Sequence, residues 1–120
     1  SEMCIRDRFE DAMEETGRKG VPDFSDLPKD MRRHFIALYK MEVITEALNE
    51  GWKADWDNSD ENKYHPYFIM SPSSFAFDGS YCDDAYAFAG SGSRLCYKTR
   101  GLAEYSAKKF IDIWKDIQIG

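Results

Sequence analysis

Little in this chain could staple it, anchor it or carry it through a membrane. It has three cysteines, an odd number that gives no disulfide framework, so a reducing compartment such as a cytoplasm is the expected setting. No stretch approaches the ~18 apolar residues of a membrane span, and no signal-peptide pattern is present, so no membrane partner is expected. Histidine is scarce, with two residues, which narrows the supply of acid–base and metal-binding side chains. Cations are outnumbered, 16 Lys and Arg against 22 Asp and Glu, for a net charge of −6. A field of that sign disfavours nucleic acid, whose binding draws on Lys and Arg to release counterions.

What is present is a folded composition. Apolar residues make up 42% and aromatics 15% of the 120 residues, enough for one real core without staples. Phe9–Thr16 reads as a short helix ended by Gly17 or Gly20. Pro28 opens a long helix that runs to Asn49, with Ser25 and Asp26 as candidate caps and Gly51 as terminator. Its expected stripe is Met31, Phe35, Ile36, Leu38, Tyr39, Val43, Ala47 and Leu48. A polar loop with Trp52 and Trp56 follows. Short aromatic segments at 63–70, 74–77, 85–89 and 94–98 then read as strands, with Pro66 confining the first to an edge or delaying its start. Thr99 caps a last helix to about Gln118, with Leu102, Ala103, Ala107, Phe110, Ile111, Trp114 and Ile117 inward. The expected fold is α+β, one domain over residues 9–120. Its long helix and C-terminal helix pack on one face of a three- or four-stranded antiparallel sheet.

Most candidate chemistry fails on spacing. The loop Asp55-x-Asp57-x-Ser59-Asp60 starts like a calcium loop but lacks the turn glycine and the closing Glu. Cys82, Cys96, His34 and His65 have none of the short spacings of structural zinc, and neither cysteine has a local base to activate it. Gly90-Ser91-Gly92-Ser93 precedes a strand, not a helix, so it is no phosphate loop. No metal, cofactor or catalytic set is therefore expected. Two surfaces remain. Strand alternation would put Arg94 and Lys98 on one face, beside Arg100 and Ser93 at the start of the last helix, making an anion site. Trp52, Trp56, Tyr64 and Tyr67 would form an aromatic contact surface.

Two resemblances bear on origin. Ser1-Glu2-Met3-Cys4-Ile5-Arg6-Asp7, with Arg8, resembles a translated sequencing adapter, so residues 1–8 are expected to be foreign to a gene of metagenomic origin. From Ala47 the motifs are Ala47-Leu48-Asn49-Glu50-Gly51-Trp52, Asp55-Trp56-x-Asn58, Lys63-Tyr64-x-Pro66-x-Phe68, Gly92-Ser93-Arg94-Leu95-Cys96-x-Lys98 and Leu102-Ala103-Glu104-Tyr105. Together with Lys109-Phe110-x-Asp112, this string resembles a family of small uncharacterised phage and mobile-element proteins of gut Bacteroidetes, over residues 28–118. The resemblance implies a phage or prophage origin and no activity. The expectation is a non-catalytic accessory binding protein acting in counter-defence, with a host protein or a small anionic nucleotide as partner. A single-stranded nucleic-acid module and a structural or assembly protein are the alternatives.

Overall fold

A computed structural model describes residues 8–58, 60–83 and 93–120. In chain order the elements are α1 (Phe9–Thr16), α2 (Lys29–Asn49), β1 (Lys63–Ile69), β2 (Ala76–Asp83), a 3-10 turn (Ser93–Leu95), α3 (Arg100–Lys109) and α4 (Ile111–Gln118). The α+β class is as expected. Helices α1 and α4 pack on α2, while α3 lies against β1 and β2. Among the described residues the sheet has two antiparallel strands, fewer than the three or four expected, paired from Lys63↔Asp83 to Ile69↔Ala76. The strand expected at 74–77 begins later and runs longer. The one expected at 85–89 lies outside the described residues.

The strand expected at 94–98 is not one. Residues 93–95 turn as a 3-10 helix, and only Tyr97 pairs with β1, through a single bridge to Tyr64. The cause is Pro66. Tyr64 directs both its N–H and its C=O to Tyr97, at 3.0 and 2.6 Å. The next backbone group facing that side belongs to residue 66, and proline has no N–H to give. Toward residue 95 a third strand therefore loses the next ladder donor after the bridge. The same phase makes Pro66↔Ser80 a pair that exchanges no ladder bonds with β2, so the proline costs the existing sheet nothing.

α1 ends on Gly17 in the left-handed region (φ 75°). At its other end the Arg8 carbonyl accepts from the Asp11 and Ala12 N–H groups, so the first described residue is the extended N-cap of the helix. α2 starts after Pro28 without a side-chain cap. Ser25 and Asp26 do not serve; Arg32 instead reaches back and donates to the carbonyls of Phe24, Ser25 and Leu27. The helix closes on Glu50, which itself turns left-handed (φ 52°) ahead of Gly51.

The inward face of α2 also differs from the expected stripe. Met31 is 46% exposed, whereas Met41, Ile44, Thr45 and Asn49 are buried. The reason is that segment 95–98 lies over the C-terminal half of α2. Asn49 donates from Nδ2 to the Cys96 carbonyl and accepts from the Lys98 N–H. Thr45 shares a 2.8 Å hydrogen bond with the Tyr97 hydroxyl. Tyr97 is fully buried, and its hydroxyl also donates to Ser106 Oγ at 2.6 Å. Ser106 in turn accepts from the Trp114 indole N–H. Burial pushes the Tyr97 phenol up to about 12.

The expected single C-terminal helix is two. Phe110 (φ −115°, ψ 36°) breaks it, so α3 covers the sheet and α4 turns onto α2. Thr99 does cap α3, accepting from the Leu102 N–H. Phe110 and Trp114 join the core, with Phe68 of β1 5.2 Å from Trp114.

A candidate ligand cleft

The loop from Trp52 to Asn62 joins α2 to β1 and is held by its own polar groups. Asp55 Oδ1 accepts from the Asp57 N–H, and Asn58 Oδ1 from the Asp60 N–H, two turns of the kind these residues favour. Glu61 is the hub. Its Oε1 accepts from the Asp55 N–H at 2.7 Å and its Oε2 from the Trp52 indole at 3.1 Å. The Asp55 N–H, ahead of the Trp52 indole and Lys63, holds the Glu61 carboxyl below its usual range against partial desolvation.

Lys63 lies beneath this loop with no exposed surface. Its ammonium donates to the Asn58 carbonyl at 2.8 Å and the Glu61 carbonyl at 2.9 Å, and stands 3.5 Å from Glu61 Oε1. It also sits 5.1 Å from the centre of the Trp56 ring. A buried ammonium persists only when it is satisfied this fully. The effect is to fix the loop that presents Trp52 and Trp56, both half-buried.

Against that loop lies a cleft of about 510 Å3. Its floor is the outward face of the C-terminal half of α2, including Tyr39, Glu42 and Glu46. Arg18 closes one side and Arg94 another. Arg18 meets Glu46 through two nitrogens, at 2.6 and 3.3 Å, and Arg94 meets Glu42 at 3.1 Å. The Arg94 side chain is 82% exposed, so its pair is a surface pair worth about 1 kcal/mol or less. An incoming anion can exchange for that carboxylate at small cost. The two indoles supply flat apolar surface beside it.

The two surfaces expected from sequence are therefore partly merged and partly scattered. Trp52, Trp56 and Arg94 line one cleft. The strand alternation meant to align Arg94 with Lys98 does not exist, since Arg94 sits in the 3-10 turn that Ser93 opens. Lys98 faces Glu50 at 3.4 Å instead, about 12 Å along α2 from the partner of Arg94. Arg100 lies over the Tyr64 ring, 5.3 Å from its centre. Tyr64 is half-buried at the bridge to Tyr97, and Tyr67 is 54% exposed further along β1.

Sequence reasoning missed Arg18, Tyr39, Glu42 and Glu46 as cleft residues. A signal was available: Glu42, Glu46 and Glu50 recur every four residues, one exposed row of a helix. Each meets a cation from elsewhere in the chain, Arg94, Arg18 and Lys98 in turn. Of the cysteines and histidines weighed for metal, Cys96 is buried at the cleft in no disulfide, and His34 stands edge-on to Phe35 in α2. Among the described residues no group of three His, Cys, Asp or Glu side chains could hold a metal ion. Nor is any described helix long and apolar enough to cross a membrane. No protein-family model, curated protein or solved structure matches the chain.

Proposed function

We propose that this protein works by binding, and that the cleft between α2 and the Trp52–Asn62 loop takes a small, flat, anionic ligand of the nucleotide type. The observation that carries this is the meeting of Trp52, Trp56 and Arg94 at one cleft of about 510 Å3, a volume in the range of small-molecule sites. An indole face stacks a base, and an exposed guanidinium held only by a weak surface pair receives a phosphate. The fixed loop lowers the ordering cost of binding. Retention of such a ligand suits a phage or prophage accessory protein that sequesters a host nucleotide signal in the bacterial cytoplasm. The motif string at 47–112 supports that setting.

Titration of the intrinsic tryptophan fluorescence with a panel of mononucleotides and cyclic dinucleotides tests the reading. At least one should quench the signal saturably. Trp56→Ala and Arg94→Ala should each weaken that ligand about tenfold or more, the second with melting unchanged because Arg94 is exposed. A panel with no saturable ligand, or affinity indifferent to both substitutions, would overturn the assignment.

A further inference from the structure

A second groove, of about 350 Å3, runs between the N-terminal half of α2 and α4. Its charge is opposite to that of the chain. Among the described residues four cations line it, Lys29, Arg32, Arg33 and Lys40, against one carboxylate, Asp116. Lys29, Arg33, Ile36 and Lys40 fall at steps of four, three and four, a single row along the helix. Ile36, the buried Ala37 and Ile113 of α4 make an aliphatic floor.

The contrast with the cleft is in pairing. Arg18, Arg94 and Lys98 each meet a carboxylate. Arg32 is spent on three backbone carbonyls, and Lys40 lies over the Phe9 ring. Lys29 and Arg33 are exposed and meet no carboxylate among the described residues. In a protein of net charge −6, with acids in excess, a row of unneutralised cations is what an acidic partner would complement.

We infer that this groove is a docking surface for an acidic amphipathic segment of a partner protein. Carboxylates on one side of that segment meet Lys29, Arg33 and Lys40, and an aliphatic side chain rests on Ile36 and Ile113. The row from 29 to 40 extends ~16 Å, too long for one phosphate group and suited to a helix or extended chain. Among the described residues no aromatic side chain lines the groove to stack a base, which favours polypeptide over nucleic acid.

The test uses the full chain and a fluorescein-labelled amphipathic helical peptide of Leu and Glu, read by anisotropy. The peptide should bind, the affinity should fall as salt rises, and a Leu–Gln version should not bind. Lys29→Glu with Arg33→Glu should weaken binding about tenfold or more, with circular dichroism and melting temperature unchanged because both positions are exposed. Trp56→Ala and Arg94→Ala should leave it intact, which separates this groove from the nucleotide cleft. Failure of the Leu–Glu peptide to bind would overturn the inference, as would equal binding by the charge-reversed variant. Displacement of the peptide by single-stranded oligothymidylate, lost with the same substitutions, would reassign the groove to nucleic acid.

Discussion

The fully buried polar groups of Tyr97 and Lys63 are satisfied in opposite ways. The Tyr97 hydroxyl is neutral and bonds side chains of two different helices, Thr45 of α2 and Ser106 of α3. The Lys63 ammonium is charged and bonds groups within five residues of itself, the carbonyls of Asn58 and Glu61. The first ties together elements that would otherwise meet only through apolar contact. The second ties a loop to its own base. Long-range polar satisfaction specifies how the layers dock, whereas local satisfaction specifies the shape of one segment. Damage at Tyr97 should therefore be global, and damage at Lys63 should be felt first at the cleft.

The sharpest way to break this comparison is Tyr97→Ala. It removes a fully buried ring and strands the Thr45 and Ser106 hydroxyls, so chemical denaturation should show a loss of about 4 kcal/mol. A loss near that produced by an exposed tyrosine would mean the ring does not organise the core.

Alkali probes the same hydroxyl. Its folded value of about 12 is raised above the ordinary 10.0. The native state thus holds this proton more tightly, and the associated stability is complete below pH 10. It is lost as pH rises from 10 to 12, to about 2–3 kcal/mol. Tyr97→Phe, less stable at neutral pH, should lack this alkaline limb in a denaturation series.

Lys63→Met keeps most of the buried stem but leaves two carbonyls and Glu61 without their ammonium. A loss of about 2 kcal/mol is expected. Hydrogen exchange should accelerate across residues 52–62 more than in α2. Uniform acceleration throughout the protein would erase the distinction between the two centres.

The smallest effect concerns Glu61. Its folded carboxyl titrates below the usual 4.5, so its contribution is present above that pH and fades as pH falls through the lower, folded value. The Trp52 indole loses an ionised acceptor in the same window. Tryptophan emission from the loop should shift on acidification, and Glu61→Gln should flatten that shift with little change in global melting.

The helices were the most legible part of the sequence because they depend on local signals. The glycine stop of α1, the Thr99 cap and the inward Phe110 and Trp114 follow from spacing and capping alone. What spacing could not show was which polar residues are pulled inside. Asn49, Thr45 and Ser106 look like surface residues by type alone, and they are buried where segment 95–98 and Tyr97 supply their partners. The strand reading at 94–98 failed for a related reason. Its alternation is locally sound, but strand pairing needs a neighbour with donors, and that depends on a proline thirty residues earlier. The cleft was half legible. Two tryptophans and Arg94 stood out by residue type, while Arg18 and the Glu42/Glu46 row acquire meaning only once α2 meets the loop.

Pro66 has one more consequence, for how copies of this protein meet one another. A strand whose outer edge offers a row of free N–H and C=O groups is a template for the same strand of a second molecule. On β1 that edge is closed by Tyr97 at its first position and deprived of a donor at the next. The aromatic run Tyr67-Phe68-Ile69, with Tyr67 and Ile69 outward, is the kind of segment that would otherwise propagate edge-to-edge association. The residue that leaves only one bridge on this edge of β1 also leaves the edge a poor template for a second copy.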